Sequence, residues 1–178
     1  YLWFTTFDGL VRFDGVRFTV YNRRNSPELP GNRFMSLYED GAGDLWATME
    51  SGQVVRRRNG RFEVFDERHG LSSGPFRRFL DDGQRGVAVG WVRHQRDIPE
   101  LYHEFWVGRA RFDGERFVAL PERHMVLDPP IAVDDAWWYA FGPSTIDEFW
   151  FDAGLIGEIH RFDAEGRLHR LREGHGLP

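Results

Sequence analysis

The sequence contains no cysteine and no lysine, so that all 23 basic residues of the 178-residue chain are arginine. Without cysteine, the chain cannot form disulfides, use a thiolate nucleophile or bind zinc through sulfur. Without lysine, it cannot form a Schiff base or supply the lysine of a phosphate-binding P-loop. No apolar run reaches the roughly 18 residues that a transmembrane helix needs. These absences exclude several classes of enzyme and any helical membrane span.

The composition instead favours an all-β protein. Aromatic residues make up 16% of the chain, with 16 Phe and 7 Trp, and 20 Gly and 9 Pro indicate many short elements joined by turns. The net charge of −5 argues against a nucleic-acid partner, because such proteins normally carry a basic excess. We expect no cofactor, since no dinucleotide-binding or P-loop motif occurs, and no Gly-x-Ser-x-Gly nucleophile elbow is present either.

One order of residues recurs about every 44 positions. The stretch "YLWFTTFDGLVRFDGVRFTVY" (1–21) places Trp, Gly, Gly and Phe in the same order as "GDLWATMESGQVVRRRNGRFEVF" (43–65). Two later copies, "RARFDGERFVAL" (109–120) and "EFWFDAG" with "HRFDAEGRLHRL" (148–154 and 160–171), are less regular. The repeat positions that we expect to be structural are Trp3, Gly9, Gly15, Phe18, Trp46, Gly52, Gly60, Phe62, Gly114, Phe117, Trp150 and Gly166.

Each copy is typical of four short antiparallel strands, and a Trp at fixed phase predicts all-β β-propeller blades. The predicted units are 1–32, 33–75, 76–121 and 122–178, about four blades of a larger propeller. In the second unit, strands are expected at 33–39, 45–48, 53–58 and 61–65, and 135–141 is expected to be the first strand of the fourth unit. Asp14-Gly15, Asn59-Gly60 and Asp113-Gly114 are predicted two-residue hairpin turns. An up-and-down barrel or a sandwich is the alternative fold.

The third unit departs from the repeat. Ala88 stands where Trp46 is expected, and residues 91–105 are predicted to be an inserted loop before the third strand. Connections between second and third strands share one face of a propeller with the loops between blades. Such loops either carry function or are tolerated surface insertions, and both readings stay open. The candidate ligand-binding residues on this face are Arg23, Arg24, Asn32, Arg33, Arg77, Arg78, Trp91, Arg93, His94, Arg96, Tyr102 and His103.

Acidic pairs are frequent, but they do not predict catalysis. The pairs are Glu39-Asp40, Asp81-Asp82, Asp134-Asp135 and Asp147-Glu148. Most of them recur at one phase of the repeat, as turn-forming residues would, whereas a catalytic pair should occur once. The seven His residues show no metal-ligand spacing, and His69 belongs to the repeat. We therefore predict no catalytic residue and no metal site in this segment.

The stretches 1–21 and "NRFMSLYEDGAGDLWAT" (32–48) resemble the two-component regulator propeller repeat, which builds the sensor region of hybrid two-component histidine kinases and related bacterial regulators. The resemblance covers 1–86 well and 109–178 approximately. It implies a periplasmic or other extracytoplasmic location in an inner-membrane sensor and an output domain elsewhere in the parent protein. It also implies a small-molecule ligand, which in many members derives from carbohydrate. It transfers no functional residue.

From these observations we expect a non-enzymatic module that senses a ligand. Its partners would be adjacent blades and an output domain, with a homodimer as a further option and no membrane contact in this segment. The opening "YLWF" is typical of a strand interior, so we expect a piece of a longer chain with apolar blade faces exposed. The alternatives are a protein-interaction scaffold and, with less support, a propeller lyase or glycosidase.

Overall fold

A computed structural model describes residues 1–73, 77–98, 101–132, 145, 149–152, 158–165 and 167–172. Within these residues the strands form four antiparallel sheets, each of which runs in chain order from one edge to the other. The first sheet contains β1 (Leu2–Thr6), β2 (Gly9–Phe13) and β3 (Phe18–Tyr21). The second contains β4 (Phe34–Glu39), β5 (Leu45–Met49), β6 (Val54–Arg58) and β7 (Arg61–Phe65), followed by a turn of 3-10 helix (Glu67–His69).

The third and fourth sheets follow the same plan. The third contains β8 (Arg78–Leu80), β9 (Ala88–Ile98), β10 (Leu101–Phe112) and β11 (Phe117–Ala132). The fourth contains β12 (Phe149–Asp152), β13 (Glu158–Phe162) and β14 (Leu168–Arg172). The all-β meander predicted from the repeat is therefore confirmed. The expected strand at 135–141 lies outside the described residues, and so does Gly166.

The second sheet is covered on both faces. Alternate residues along its strands point to opposite faces, so that one set packs on the first sheet and the other on the third. Towards the first sheet, Ala47, Met49 and Val55 join a buried cluster with Leu10 and other residues of 10–62. Towards the third sheet, a second cluster contains the following residues: Trp46, Val54, Phe65, Leu71, Val87, Val89, Ala110 and Phe117. This face-to-face stacking accounts for the near-continuous burial of β5.

Trp46 joins the second sheet to the third, as the repeat predicted. Its side chain is 0% exposed, and its ring centroid lies 4.9 Å from that of Phe112 and 6.2 Å from that of Phe117. Trp3 is half-buried and stacks on Tyr21 within its own sheet. The phenylalanine of the repeat is likewise buried in one copy and exposed in another. Phe117 is buried, whereas Phe18 is 67% exposed on the uncovered face of the first sheet.

An arginine stands opposite each repeat tryptophan, which the sequence comparison missed. Trp3 pairs with Arg12, Trp46 with Arg56 and Trp150 with Arg161 across neighbouring strands. In the second sheet the Arg56 guanidinium carbon lies 5.2 Å from the Trp46 ring centroid, within cation–π range.

The third sheet keeps the arginine without the tryptophan. Arg111 pairs with Ala88 across the strands, which confirms that Ala88 occupies the tryptophan position. The Arg111 Nε instead lies 3.5 Å from Oδ2 of Asp82.

The predicted two-residue turns are correct at one position and wrong at two. Arg58 pairs with Arg61, so Asn59-Gly60 is a two-residue turn in which both residues have positive φ, 51° and 81°. Phe13 pairs with Phe18, however, which leaves a four-residue turn at 14–17. The turn at 113–116 has the same length. In both, an Asp side chain accepts two backbone N–H groups, and these bonds stabilise the longer turn.

The expectation of an inserted loop at 91–105 is wrong. The described residues of this stretch, 91–98 and 101–105, lengthen β9 and β10, which pair from Ala88–Arg111 to Ile98–Leu101. Strand β11 is lengthened to match and pairs as far as Leu101–Ala132. The insertion is thus a hairpin arm that continues the sheet, because paired strands satisfy the backbone hydrogen-bonding groups that a loop of this length would leave to water. The proposed unit boundary at 121–122 falls inside β11.

Candidate functional site

A cavity of about 400 Å³ lies where the second and third sheets meet on the predicted loop face. The β5–β6 turn contributes residues 51–53 to its wall. The connection between the two sheets contributes residues 66–68, 71–72 and Arg77. The connections expected to share one face therefore do so here. The volume falls within the range of small-molecule sites.

Arg77, one of the predicted ligand-binding residues, is the most deeply buried charged residue at this cavity. It is 2% exposed. Its Nε donates to the carbonyl oxygen of Gly52 at 2.6 Å, Nη1 donates weakly to Oγ of Ser72 at 3.4 Å, and Nη2 donates to the carbonyl oxygen of Ser72. Burial lowers the pKa of Arg77 to about 10, and the charge of Glu67 opposes this shift. The guanidinium therefore remains charged at neutral pH.

The Trp91 ring packs against the guanidinium of Arg77. The guanidinium carbon of Arg77 lies 4.8 Å from the Trp91 ring centroid. Trp91 pairs with Gly108 across β9 and β10, and a Cβ at Gly108 would overlap the indole ring. The ring therefore lies across the glycine backbone, as aromatic residues do beside glycine in sheets. The structure brings together Arg77 and Trp91, two predicted ligand-binding residues that are separated by 13 intervening positions in the sequence.

A charged cap forms the rim of the cavity. Asp66 precedes the 3-10 turn and accepts a backbone hydrogen bond from Arg68. The pKa of Asp66 is lowered to about 2, mainly because its side chain accepts a hydrogen bond from the Arg68 side chain. His69 completes the cap, since its Nδ1 lies 3.2 Å from the Asp66 amide and 2.9 Å from Oδ1. The structural role expected for His69 is confirmed.

Several other predicted site residues are engaged in the scaffold. Arg33 forms an ion pair with Glu50, and its guanidinium carbon lies 4.1 Å from the Phe7 ring centroid. The Asn32 side chain accepts a hydrogen bond from the Arg23 amide at 3.0 Å. Arg78 donates to the carbonyl oxygen of Met35 at 3.3 Å, which links the inner strands of two sheets. Arg24 is exposed on the 22–25 turn and does not line the cavity.

The remaining candidates lie on the hairpin arm. Arg93, His94 and Arg96 belong to β9, and Tyr102 and His103 belong to β10. The register pairs Arg96 with Tyr102 and shifts between Tyr102 and Glu104, so that His103 lies in an irregularity of the strand. Their part in binding stays a prediction.

The opposite end of the second and third sheets carries the acidic pairs Glu39-Asp40 and Asp81-Asp82, whereas Asp134-Asp135 and Asp147-Glu148 lie outside the described residues. A space of about 690 Å³ there is lined by 38–43, Asp81 and Arg85. Burial raises the pKa of Tyr38, and the charge of Asp82 adds to the shift. Asp40 accepts backbone bonds from Ala42 and Asp44 and a bond from the Trp46 indole at 2.8 Å. This carboxylate therefore closes a turn and orients the repeat tryptophan, which agrees with a structural reading of the pairs.

The described residues offer neither a metal site nor a membrane-spanning helix. No group of three or more His, Asp or Glu there could hold a metal ion. No helix in the same part of the chain is long and apolar enough to cross a bilayer.

Comparison with known proteins shows the fold. No family matches the chain by sequence, and no curated protein does. Among solved structures, virginiamycin B lyase from Staphylococcus aureus matches at 11% identity with a TM-score of 0.50 over 98% of this chain and 67% of that protein. A catalytically inactive variant of that lyase, solved with quinupristin, matches at 13% identity and a TM-score of 0.49 over 96% of this chain and 64% of that protein. The chain has the β-propeller fold. At this identity the likeness concerns the fold alone.

The sequence offered partial signals for this site. Arg77 and Trp91 were found because they lie on the expected loop face. Gln53 and Glu67, which also line the cavity, were missed because single polar residues in turns are common. Gly108 would have stood out only if its pairing with Trp91 had been known.

Proposed function

We propose that this propeller segment recognises a small polar ligand and belongs to a bacterial sensor of the two-component type. The cavity that contains Arg77 is the observation that carries the proposal. It lies on the predicted loop face, has the volume of a small-molecule site and combines a buried cation with polar turn residues. The ligand would act by binding one arrangement of sheets or protomers better than another.

A non-catalytic role agrees with the behaviour of the titratable groups. The carboxylates that have strongly lowered pKa values, Asp66 and Asp163, are held by Arg and His side chains that cap turns. Asp163 accepts the Arg167 amide and contacts His169 at 2.8 Å, so it also closes a turn. A lyase or glycosidase remains the alternative, as does an interaction scaffold.

The parent gene tests the proposal. We expect it to encode a membrane span and a kinase or other output domain downstream of the propeller, with the propeller outside the cytoplasm. Output activity, measured as autophosphorylation of the purified parent protein, should change when a cavity ligand is added. A complete secreted enzyme without an output domain would refute the proposed function.

We also propose that the uncovered face of the first sheet receives a further sheet of the same repeat in the parent protein. Four large apolar side chains share this face, and their exposures are 60% for Leu2, 44% for Phe4, 67% for Phe18 and 38% for Val20. The opposite face of the same sheet already packs on the second sheet in this way. Phe18→Ser should cost this segment no more than about 1 kcal/mol, because only the stacking on Phe13 is lost, and should destabilise the parent protein more strongly in thermal melts. Equal melting of both parent forms would exclude that contact.

A further inference from the structure

Arg77 is a buried cation whose hydrogen-bond partners within the described residues are all neutral. Its three hydrogen bonds go to two backbone carbonyls and one hydroxyl. A guanidinium carries five N–H donors, so these bonds leave one N–H on each terminal nitrogen. The ring of Trp91 covers one face of the guanidinium.

Carboxylates within the described part of the chain form no ion pair with Arg77, although six other arginines there do. Burial of a charge without a counter-charge is unfavourable, and the lowered pKa of Arg77 reflects that cost. Cations this deeply buried in proteins normally pair with an anion. The missing partner would fit in the cavity, because Arg77 forms part of its wall.

The other charges of the cavity do not fill that role. Asp66 is already bound by Arg68, whose side chain is 84% exposed and lies at the rim. The Glu67 side chain is exposed and forms no hydrogen bond within the described residues. It affects the pKa of Arg77 only through its charge. Glu67 therefore places a negative charge at the mouth, which would repel a second carboxylate and attract a hydrogen-bond donor.

We propose that this cavity is a binding site for a small monocarboxylate, with Arg77 as the residue that binds the carboxylate. A charge-assisted hydrogen bond from a free terminal N–H of Arg77 suits a carboxylate oxygen better than a neutral acceptor. Trp91 and Gly108 are positioning residues, since the ring lying on the glycine fixes the guanidinium. The inference deepens the proposed function and rests on it for its biological meaning.

The test compares sodium acetate with acetamide, its neutral isostere, at constant ionic strength. Binding is followed by ¹⁵N NMR of the Arg77 Nε–H and the Trp91 indole N–H in the present chain. We expect acetate to shift both resonances with a dissociation constant in the millimolar range, as a ligand of only about four heavy atoms allows. Acetamide should shift neither. Equal shifts by the two compounds would overturn the proposal.

Two arginines of the same cavity provide a matched pair of variants. Arg77→Gln should weaken acetate binding by about tenfold or more, because a charge-assisted pair is lost. Arg68→Gln should change it by no more than about threefold, since Arg68 is solvated and bound to Asp66. An equal effect of both substitutions would contradict the assignment of the carboxylate to Arg77.

Glu67→Gln keeps the proposal testable if Arg77→Gln does not fold. Removal of this exposed charge should strengthen acetate binding by about two- to fivefold at low salt, and the gain should fall at high salt. Unchanged or weaker binding would overturn the proposal. If a neutral sugar shifted these resonances and acetate did not, the ligand would not be a carboxylate, but the proposed function would stand. Acetate binding without any response of the parent's output domain would refute the sensing function alone.

Discussion

Truncation of Trp46 tests the claim that the repeat tryptophan holds neighbouring sheets together. The side chain is fully buried and contacts rings of both sheets, with centroids 5.4 Å from Phe65 and 4.9 Å from Phe112. Replacement of a buried aromatic residue of this size by Ala costs about 3–5 kcal/mol. The polar partners add little, because Asp40 is half-exposed and keeps two backbone hydrogen bonds. We therefore expect Trp46→Ala to lower the free energy of unfolding by about 3–5 kcal/mol.

Urea denaturation followed by far-ultraviolet circular dichroism measures this loss without relying on the fluorescence of seven tryptophans. Trp46→Phe keeps an aromatic ring and removes the indole N–H that donates to Asp40. Its cost should be smaller, about 1–3 kcal/mol, because a hydrogen bond to a charged group and part of the ring are lost. Phe18→Ala on the uncovered face is the control and should cost no more than about 1 kcal/mol.

The slope of unfolding against urea must stay unchanged for these comparisons to hold. If Trp46→Ala stayed within about 1 kcal/mol of the unsubstituted protein at an unchanged slope, the tryptophan would not be the joint between the sheets. The same conclusion would follow if Phe18→Ala cost as much as Trp46→Ala.

Two further substitutions test local features. Gly70→Ala should destabilise the protein by more than about 2 kcal/mol, because φ is 86° and the new Cβ would overlap the carbonyl oxygen of Phe117. Gly43→Ala, with a φ of 82° and nothing within 4 Å, should cost only about 1 kcal/mol, and equal losses in thermal melts would argue against the close approach. Asp66, with a pKa of about 2 when folded and about 3.9 when unfolded, stabilises the fold above pH 4 and loses this effect towards pH 2. In urea titrations, the difference in free energy of unfolding between the unsubstituted protein and Asp66→Asn should shrink as the pH falls from 4 to 2. A difference that stays constant over this range would show that the Asp66 carboxylate is not what stabilises the fold.

The turns show how far a local pattern can be trusted. Asn59-Gly60 was predicted correctly because both residues readily adopt positive φ, which a two-residue hairpin turn requires. Asp14-Gly15 and Asp113-Gly114 share the same dipeptide character, yet each begins a four-residue turn. There the Asp side chain caps two later amides, and the strand pairing decides which residue closes the turn. The dipeptide marks a turn, but its length depends on register.

The candidate site, too, could be predicted from the sequence only in part. The phase of the repeat was enough to select the loop face, and with it Arg77 and Trp91. It was not enough to separate them from Arg33 and Arg78, which have the same residue type and equally suitable positions in the sequence. Only their contacts show that Arg33 pairs with a carboxylate and Arg78 with an inner-strand carbonyl.

The sequence by itself determined the antiparallel meander order of the strands, the four strands of the second unit and the burial of Trp46 between sheets. These properties depend on residues near one another in the chain, through alternation, turn chemistry and the period of the repeat. Only the tertiary structure decided that residues 91–98 and 101–105 extend a sheet. The same holds for the contact of Arg77 with Trp91 and for the lack of a carboxylate paired with Arg77 among the described residues. Those outcomes depend on strand register and on which side chains from distant segments meet, and a residue's type and position along the chain do not specify either.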